Sequence, residues 1–472
     1  MKLTKIVATI GPACDNREKI KELILSEVDI FRFNLKHNTI DWHQEKINLV
    51  HQVAKELDKI VGILIDLQGP EIRFKLPFES INLKVGSEFL LSETGYLEKK
   101  GISFSHPQII NNLKENDQVL VDDGRFVFLV KKKNNKYFLI SQSEGRLFNA
   151  KSVTIPHLKS DLPALTEKDL EGLKLGYRVN IDFVALSFVR NGGDILNLKK
   201  KLKELKIKAQ IVAKIETAEA IGNLNEIVKS SDGIMVARGD LGVEEPLIKV
   251  AYLQKEIIKK ARQYLKPVIT ATQMLESMIT NPFPTRAEIS DITNSYYDGT
   301  DTTMLSAETA NGKYPVKAVS YMRKTLSFIE KNGKVTTNEP IITNKDQEYA
   351  VILSAYNLYQ ELEKDKNQDL VFLVFSQTGR TARILSAFRP RSPIFTVIPD
   401  EEKGRYLTLN YGIVPIYDPQ IEKGKVTHEA IDKKIALLIK KGYLKKGLTL
   451  IILHGDIWGK IGGTSTIRLK KI

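Results

Sequence analysis

The sequence contains a single cysteine, Cys14, among 472 residues. One thiol cannot form an internal disulfide, so a disulfide-stapled scaffold is excluded and a reducing compartment is favoured. The apolar runs are no longer than a β-strand, so no segment is predicted to cross a membrane as a helix. The N-terminal stretch MKLTKIVATIGPA lacks the apolar core of a signal peptide. From these absences we expect a cytoplasmic protein with no membrane partner.

Positive charge is abundant, but it is not concentrated. The net charge is +14, yet the lysines are spread along the chain, with local runs only at Lys131–Lys133 and Lys199–Lys201. No DNA- or RNA-binding motif, basic-aromatic alternation or low-complexity tract occurs. We therefore expect no nucleic acid partner and interpret the lysines as solvated faces and as binding groups for small anionic substrates.

The chain is too long for one hydrophobic core, and its pattern of strands divides it. Residues 1–74 supply three strands and residues 161–335 supply five more. Eight parallel strands alternating with helices predict a (β/α)8 barrel whose active site lies at the carboxyl ends of the strands. The expected strands are Lys5–Gly11, Phe31–Leu35, Val61–Leu67, Phe183–Val189, Ile211–Glu216, Ile234–Asp240, Val268–Thr272 and Thr303–Ala307.

Two further segments interrupt or follow the barrel. Residues 75–160 show short β-rich runs with a hairpin turn at Asn134-Asn135, which predicts an inserted β domain. A polar linker is expected at Lys331–Lys345. Residues 346–472 then return to an α/β pattern of doubly wound type. We therefore expect two barrel segments, one insertion and one C-terminal domain.

The stretch AQIVAKIETAEAIGNLNEIVKSSDGIMVARGDLG, residues 209–242, predicts strand, helix and strand, with the helix at 218–229. Lys214 and Glu216 are two residues apart, so on a strand they point to the same side. Asp240 is expected to end the neighbouring parallel strand, beside Glu216. Two carboxylates with a cation beside them suit Mg²⁺ with a phosphate or enolate bound to it, and Gly239 permits close approach to a ligand. The alternative is a structural salt bridge at a strand end.

This stretch also carries a resemblance. AKIETAEAI and IMVARGDLGVE, with the downstream run ITATQMLESMITNPFPTRAEISDITNSYYDGTDTTMLSAETANGKYP, resemble the pyruvate kinase family, and the likeness covers almost the whole chain. It implies a TIM barrel, an inserted β-barrel lid that closes over a nucleotide, and a regulatory C-terminal α/β domain. It also implies an allosteric homotetramer that transfers the phosphoryl group of phosphoenolpyruvate to ADP, giving pyruvate and ATP with Mg²⁺ or Mn²⁺ as cofactor.

The resemblance assigns roles residue by residue. Lys214 and Arg32 would bind the transferring phosphoryl group, and Glu216 and Asp240 would hold Mg²⁺. The backbone around Gly239 and Asp240 would bind the substrate carboxylate. Thr272 would face the carbon that is protonated, and Ser306 would belong to the proton path. The residues expected to contact the nucleotide are Asn34, His37, Arg73 and Lys151.

One departure from the family pattern concerns potassium. The family loop usually has Ser where this chain has Lys36, and that Ser binds K⁺ together with the equivalents of Asn34 and Asp66. Leu67-Gln68 resembles potassium-independent members, although these usually carry Lys where this chain keeps Glu71. We hypothesise that the Lys36 ammonium replaces K⁺. The alternative is that Lys36 points to solvent and K⁺ still binds.

The loop after the first strand of the C-terminal domain resembles the family's sugar-phosphate effector site. Hydroxyls, backbone amides and a helix start could bind an anion there. Gln377 stands where strongly activated members often carry Lys, so a structural turn is an equally open interpretation. The expected effector residues are Ser376, Thr378, Gly379, Arg380 and Thr381.

Two rival functions remain open on the residues alone. A metal-dependent carbon–carbon lyase acting on pyruvate enolate would also place Glu and Asp on neighbouring strand ends. A metabolite sensor or scaffold on a retained barrel is the non-enzymatic alternative. Arg73, Lys151 and the lid argue against the lyase. The intact set of Lys214, Glu216, Asp240 and Thr272 argues against the scaffold.

Overall fold

The computed structural model describes residues 2–92, 101–158, 161–333, 346–365, 369–421, 424–458 and 462–472. Eight parallel strands form a closed barrel in which the first strand pairs with both the second and the last, as the alternation of strands predicted. The barrel strands are Lys5–Thr9, Ile30–Asn34, Gly62–Asp66, Phe183–Leu186, Gln210–Ile215, Gly233–Ala237, Val268–Ala271 and Thr302–Leu305.

Helices cover the outside of this barrel, and most begin with a side-chain cap. Asn16 and Thr39 cap the first two helices, and Thr285 with Glu288 forms the capping box expected from the sequence. The helices are Arg17–Leu25, Ile40–Glu56, Glu167–Leu173, Gly192–Glu204, Ala218–Gly222, Leu224–Ser230, Arg238–Glu244, Leu247–Gln263, Arg286–Asp298, Ala307–Ala310 and Pro315–Asn332.

Several expected boundaries are wrong by a few residues, and two of the errors matter. The sixth strand ends at Ala237, so Gly239 and Asp240 lie in the first turn of a short helix rather than on the strand. The helix expected at 218–229 is broken at Asn223, whose side-chain amide donates to the carbonyl of Arg190 at 2.9 Å. In both places side-chain and backbone contacts decide where the element ends.

The base of the barrel is organised by four aspartates, each placed just before an even-numbered strand. Each carboxylate accepts a hydrogen bond of 2.8 to 3.0 Å from a backbone N–H at or near the start of the preceding odd-numbered strand, and so pins neighbouring strands in register. The donor–acceptor pairs are Ile6 to Asp29, Ile63 to Asp182, Ile211 to Asp232 and Val268 to Asp301.

The inserted domain contains a seven-stranded, nearly closed barrel-like sheet and a two-stranded ribbon around its own apolar core. Asn134 and Asn135 both have positive φ (49° and 58°), as the expected hairpin turn requires. Its strands are Phe74–Lys75, Ser80–Leu83, Glu88–Leu91, Gly101–Phe104, Gln118–Val121, Phe126–Lys133, Lys136–Ser141, Gly145–Phe148 and Val153–Thr154.

The C-terminal domain has a five-stranded sheet with an apolar core on each face, as expected for a doubly wound fold. Two of its strands were missed, Ile413–Tyr417 and Thr464–Lys471. Pro415 obscured the first, which is an edge strand and therefore tolerates proline. The other elements are the strands Leu370–Phe375, Ile394–Ile398 and Thr449–Gly455, the short strands Gly424–Lys425 and Ile457–Trp458, and the helices Gln347–Glu363, Arg380–Ala387, Glu401–Tyr406 and His428–Lys440.

The C-terminal domain packs against the base of the barrel. Leu409 joins the apolar cluster inside the barrel, and Arg405 donates to Asp182 at 2.7 Å. The expected linker begins two residues too early, because the preceding helix runs to Asn332, and residues 334–345 lie outside the described part of the chain. Among the described residues, no helix is long and apolar enough to span a membrane.

Candidate active site

Lys214 lies at the centre of a charged cluster in the mouth of the barrel. Its ammonium is 3.1 Å from Glu216 and 3.6 Å from Asp66, and it donates to the Ser187 hydroxyl at 2.7 Å. Three adjacent strands provide these groups, since the third and fifth strands both pair with the fourth. Burial lowers the pKa of Lys214, but the two carboxylates outweigh it and raise the pKa, so the ammonium stays charged.

Glu216 is fully buried, and within the described part of the chain only one of its two carboxylate oxygens accepts a hydrogen bond. One oxygen accepts the backbone N–H of Phe188 at 2.6 Å. The other, Oε2, makes the ion pair with Lys214 but has no hydrogen-bond partner among the described residues. Burial raises the pKa of Glu216 to about 7, against the opposing effect of Lys214. A buried carboxylate oxygen of this kind fits the demand of a hard divalent cation.

Asp240 faces Glu216 from the first turn of the helix Arg238–Glu244. The residue is exposed on the side of the open cleft, yet the protein around its carboxylate removes bulk water and raises its pKa, opposed by Lys214. Among the described residues no three His, Cys, Asp or Glu side chains converge as a metal site. If Glu216 and Asp240 held a divalent cation, substrate oxygens and water would have to complete its shell.

Thr272 occupies a strained turn at the end of the seventh strand. Its φ is 70° and that of Gln273 is 53°, values that residues other than glycine rarely adopt. The Thr272 hydroxyl donates to the carbonyl of Ala271 at 2.6 Å and accepts the N–H of Gly239 at 2.8 Å. The strained backbone and these two hydrogen bonds therefore hold the Thr272 hydroxyl beside the helical turn that carries Asp240.

Arg238 holds this strained turn, and the sequence analysis missed it. Its guanidinium donates to the carbonyls of Ala271 (3.2 Å) and Thr272 (2.6 Å) and pairs with Asp291 at 2.8 Å. The only signal in the sequence was an arginine directly after a buried strand. That position alone does not reveal that the guanidinium donates to two carbonyls 33 and 34 residues further along the chain.

Arg32 lies within the same cluster rather than on the surface. It donates through Nε and Nη2 to one oxygen of Asp66 (2.8 and 2.7 Å) and through Nη1 to Thr9 at 3.0 Å. Burial tends to raise the pKa of Asp66, but Lys214 and Arg32 outweigh it and lower the pKa. Asp66 therefore stays ionised and joins the two cations.

Ser306 was expected within the eighth strand but lies directly after it, because the strand ends at Leu305, and its surroundings depend on Glu308. The buried Glu308 carboxylate accepts the N–H of Ser306 at 2.7 Å and that of Leu275 at 3.1 Å. These bonds join the loops that follow strands seven and eight. Thr272 and Ser306 therefore belong to adjacent loops that are held together by the Glu308 carboxylate.

A cleft of about 320 Å³ between the barrel and the inserted domain is lined by two of the four expected nucleotide residues, Arg73 and Lys151. Arg73 pairs with Glu71 at 2.6 Å, and Lys151 pairs with Asp122 at 2.8 Å. Glu216 and Asp240 line the same cleft. The structure thus brings Arg73 and Lys151 together with the two acids.

Asn34 and His37 do not line this cleft. Asn34 accepts the backbone N–H of Lys36 at 3.1 Å and so shapes the loop. The pKa of His37 is lowered, first by burial and then by Lys36 and Arg32, which favours a neutral imidazole. Lys36 does line the cleft, and its ammonium pairs with Glu71 at 3.1 Å.

The expected effector loop is already occupied by the protein's own groups. Ser376 accepts the N–H of Gly379 at 3.0 Å, and Thr378 accepts that of Arg380 at 3.4 Å. Arg380 pairs with Asp346 at 2.7 Å and with Glu348. Thr381 donates to Glu348 at 2.7 Å.

The cavity at this loop is small, about 30 Å³ among the described residues. That is close to the share of liquid volume of one water molecule. The buried carboxylate of Glu348 is part of its wall. The effector assignment stays a prediction.

Comparisons with known proteins agree with this geometry. The family model described as the pyruvate kinase barrel domain matches residues 1–319, and the one for the pyruvate kinase alpha/beta domain matches residues 349–470. Proteins named pyruvate kinase from Staphylococcus aureus strains MRSA252 and NCTC 8325 are each 37% identical over 482 aligned positions, covering 99% of this chain and 80% of theirs.

The matches span both the barrel that carries Lys214 and the C-terminal domain, and the relatives share the expected activity by name. The barrel, the inserted domain and the charged cluster had already indicated phosphoryl transfer. The chain therefore belongs to the pyruvate kinase family, the phosphotransferases that convert phosphoenolpyruvate and ADP into pyruvate and ATP in glycolysis.

Proposed function

We propose that this chain performs the pyruvate kinase reaction with Lys214, Arg32, Glu216, Asp240 and Thr272 as its reacting centre. The observation that carries the assignment is the contact of the Lys214 ammonium with Glu216, whose second oxygen is buried without a hydrogen bond. The two acids would hold Mg²⁺ or Mn²⁺, which supplies a Lewis acid to neutralise charge on phosphoryl and enolate oxygens.

The side chains around this centre would bind and orient the substrate. Lys214 and Arg32 direct two cations at the phosphoryl group, where the charge of the transition state is spread over oxygens. The Arg32 guanidinium forms an ion pair with Asp66, so the phosphoryl group would compete with Asp66 for this guanidinium. The substrate carboxylate would bind at the backbone of Gly239 and Asp240, displacing the Thr272 hydroxyl from the Gly239 N–H.

Thr272 would then be free to face the methylene carbon of the enolate. Its position beside Gly239 is fixed by the strained turn and by Arg238, so little reorganisation is needed. Ser306 would continue a proton path from the adjacent loop. Both assignments predict that Thr272→Ala and Ser306→Ala lower turnover more than they weaken binding of phosphoenolpyruvate.

The inserted domain would act as a lid that brings Arg73 and Lys151 onto the phosphates of ADP. Both cations are paired with carboxylates in the structure, to Glu71 and Asp122, so the nucleotide would exchange these partners for phosphate oxygens. Asn34 and His37 would contribute through the loop that carries them. A closed lid would also exclude water from the phosphoryl group.

Lys36 would supply the monovalent charge that other members obtain from K⁺ at Asn34 and Asp66. The position of Lys36 supports this proposal, because its side chain lines the cleft and its ammonium forms an ion pair with Glu71. We expect full activity with tetramethylammonium as the only monovalent cation, and recovery of K⁺ dependence in Lys36→Ser. Loss of wild-type activity without K⁺ would reject the idea.

We further propose a cytoplasmic homotetramer. The helix Leu247–Gln263 begins next to the Asp240 turn and exposes Leu247 (76%), Ile248 (91%) and Tyr252 (64%). A contiguous apolar face of this kind is typical of an interface. Light scattering after gel filtration should give four times 53.3 kDa, and Ile248→Asp should reduce it.

The decisive experiment is a coupled assay for pyruvate and ATP from phosphoenolpyruvate and ADP. We expect Lys214→Met to lower kcat by at least about 10³-fold, as loss of a charge aimed at the transition state does. Glu219→Gln, an exposed acid nearby, is the matched control. Carbon–carbon cleavage without ATP formation would favour the rival lyase, and absence of both activities would favour the scaffold.

A further inference from the structure

A second cavity, of about 480 Å³, lies beside the catalytic cleft. One wall is the end of the inserted domain, from Val153 to Leu158, where the chain returns to the barrel. The opposite wall consists of barrel segments that follow strands four and five, including Phe188 and Thr217. We call this cavity the hinge pocket. Its volume falls within the range of small-molecule sites, about 300–1,000 Å³.

The lining of the hinge pocket is mostly apolar. Ile72, Val153, Ile155, Leu158, Leu162 and Phe188 provide side chains without charge. Such a surface binds a hydrocarbon or aromatic body by removing it from water. A wholly polar metabolite would gain little from it.

The charges in the hinge pocket favour a cation. Two acids line it, Glu219 and Glu244, beside His157, and burial raises the pKa of Glu244 to about 7. Its one arginine, Arg190, already pairs with Asp194 through two bonds of 3.0 and 3.2 Å. An anionic ligand would therefore meet two acids and a cation that is already neutralised.

The hinge pocket also contacts the groups that set the active site. Phe188 lines both cavities, has a φ of 54°, and donates its N–H to Glu216. Glu244 also lines both, and its carboxylate lies close to the backbone N–H groups of His157 and Ala218, which oppose the rise in its pKa caused by burial. An occupant would therefore contact Phe188, which donates to the proposed metal ligand Glu216. It would also contact Glu244, which lies between the lid and the barrel.

We propose that the hinge pocket binds a small aromatic amine, with its ring among the apolar side chains and its ammonium at Glu219 and Glu244, and that the occupant restrains the lid. Binding itself does not depend on the reaction assigned to the cleft. Lid opening sets turnover in many enzymes, so a restrained lid lowers kcat. Because the substrates bind elsewhere, the amine should not compete with phosphoenolpyruvate.

The test uses three probes with the same ring and different charge: 2-naphthylmethylamine, 2-naphthylmethanol and 2-naphthoate. Binding to the full-length protein is measured by isothermal titration and saturation-transfer NMR. We expect the amine to bind about fivefold more tightly than the alcohol, since a partly exposed ion pair contributes up to about 1 kcal/mol. Naphthoate should bind most weakly.

Variants locate the site. Leu158→Trp fills the pocket and should abolish amine binding, and Ala218→Phe is a second filling variant in case the first does not fold. Glu219→Gln should weaken the amine about fivefold and leave the alcohol unchanged. Glu45→Gln, on an exposed position of the helix Ile40–Glu56, is the matched control and should change neither.

Several results would overturn the proposal. These are no saturable binding of the amine, equal or tighter binding of naphthoate, and binding that both filling variants leave intact. Steady-state kinetics at saturating ADP should show a lower kcat with the amine, and competition with phosphoenolpyruvate would refute the hinge location. Binding can be measured even in a preparation with no kinase activity, so failure of the reaction assignment remains distinguishable.

Discussion

Metal binding to Glu216 should depend steeply on pH near neutrality. The pKa of this carboxyl is raised to about 7, so below that pH it carries a proton that a divalent cation must displace. For one group of pKa about 7, the apparent affinity should rise about tenfold between pH 6 and pH 8. The pKa of Asp240 is also raised, which can only steepen this dependence.

The magnitude can be checked with Mn²⁺ as a spectroscopic probe. Electron paramagnetic resonance counts free Mn²⁺ in the absence of substrates, so the measurement does not require turnover. Two variants should shift the midpoint in opposite directions. Asp240→Asn removes a repelling charge and lowers the pKa of Glu216, whereas Lys214→Met removes an attracting charge and raises it.

Glu216→Gln is the control for this titration, because its amide cannot ionise. It should bind Mn²⁺ weakly and lose most of the pH dependence between pH 6 and pH 8. Affinity of the unmodified protein that is constant across this range would refute the reasoning, as would a shift in the same direction in both variants. Constant affinity would mean that Glu216 is ionised throughout, and shifts in the same direction would mean that Lys214 and Asp240 do not set its pKa.

Two further variants test how the site is supported. Arg238→Lys keeps the charge but cannot reach two carbonyls and Asp291 together, so we expect kcat to fall about tenfold to a hundredfold with little change in unfolding temperature; an unchanged kcat would show that the Thr272 turn holds itself. Arg405→Met leaves the buried Asp182 without its partner, so urea unfolding should show a loss of about 3–5 kcal/mol, and Asp182→Asn added to it should restore part of that loss.

The order of strands was readable from the sequence because each barrel strand is a short apolar run ended by polar residues. Lys214 and Glu216 were predictable for the same reason, since the two-residue period places both on one side. Asp240 was placed correctly in space but on the wrong element. A helix begins directly after Ala237, which the apolar run does not reveal.

Contacts between distant segments were not readable. Arg238 bonds to carbonyls of another strand, and Glu308 joins two loops through backbone N–H groups. The carbonyls and N–H groups concerned belong to segments far away in the sequence, and the residue types there do not indicate them. The aspartates at the base of the barrel are different, because an Asp just before every second strand is a pattern that could have been noticed.

The charges of the reacting centre explain why a divalent cation and a phosphate ester fit it together. Lys214 and Arg32 stand against Asp66, Glu216 and Asp240, so two positive groups face three negative ones when all are ionised. Lys214 and Arg32 stabilise the negative charge of Asp66 and lower its pKa. Glu216 and Asp240 lack enough positive charge nearby, and the pKa values of both are raised. A divalent cation at these two acids would reverse the net charge and release Lys214 from Glu216, whereas Arg32 would bind an anion by exchange with Asp66. These charges therefore predict that a divalent cation bound at the two acids would strengthen the binding of a phosphorylated substrate.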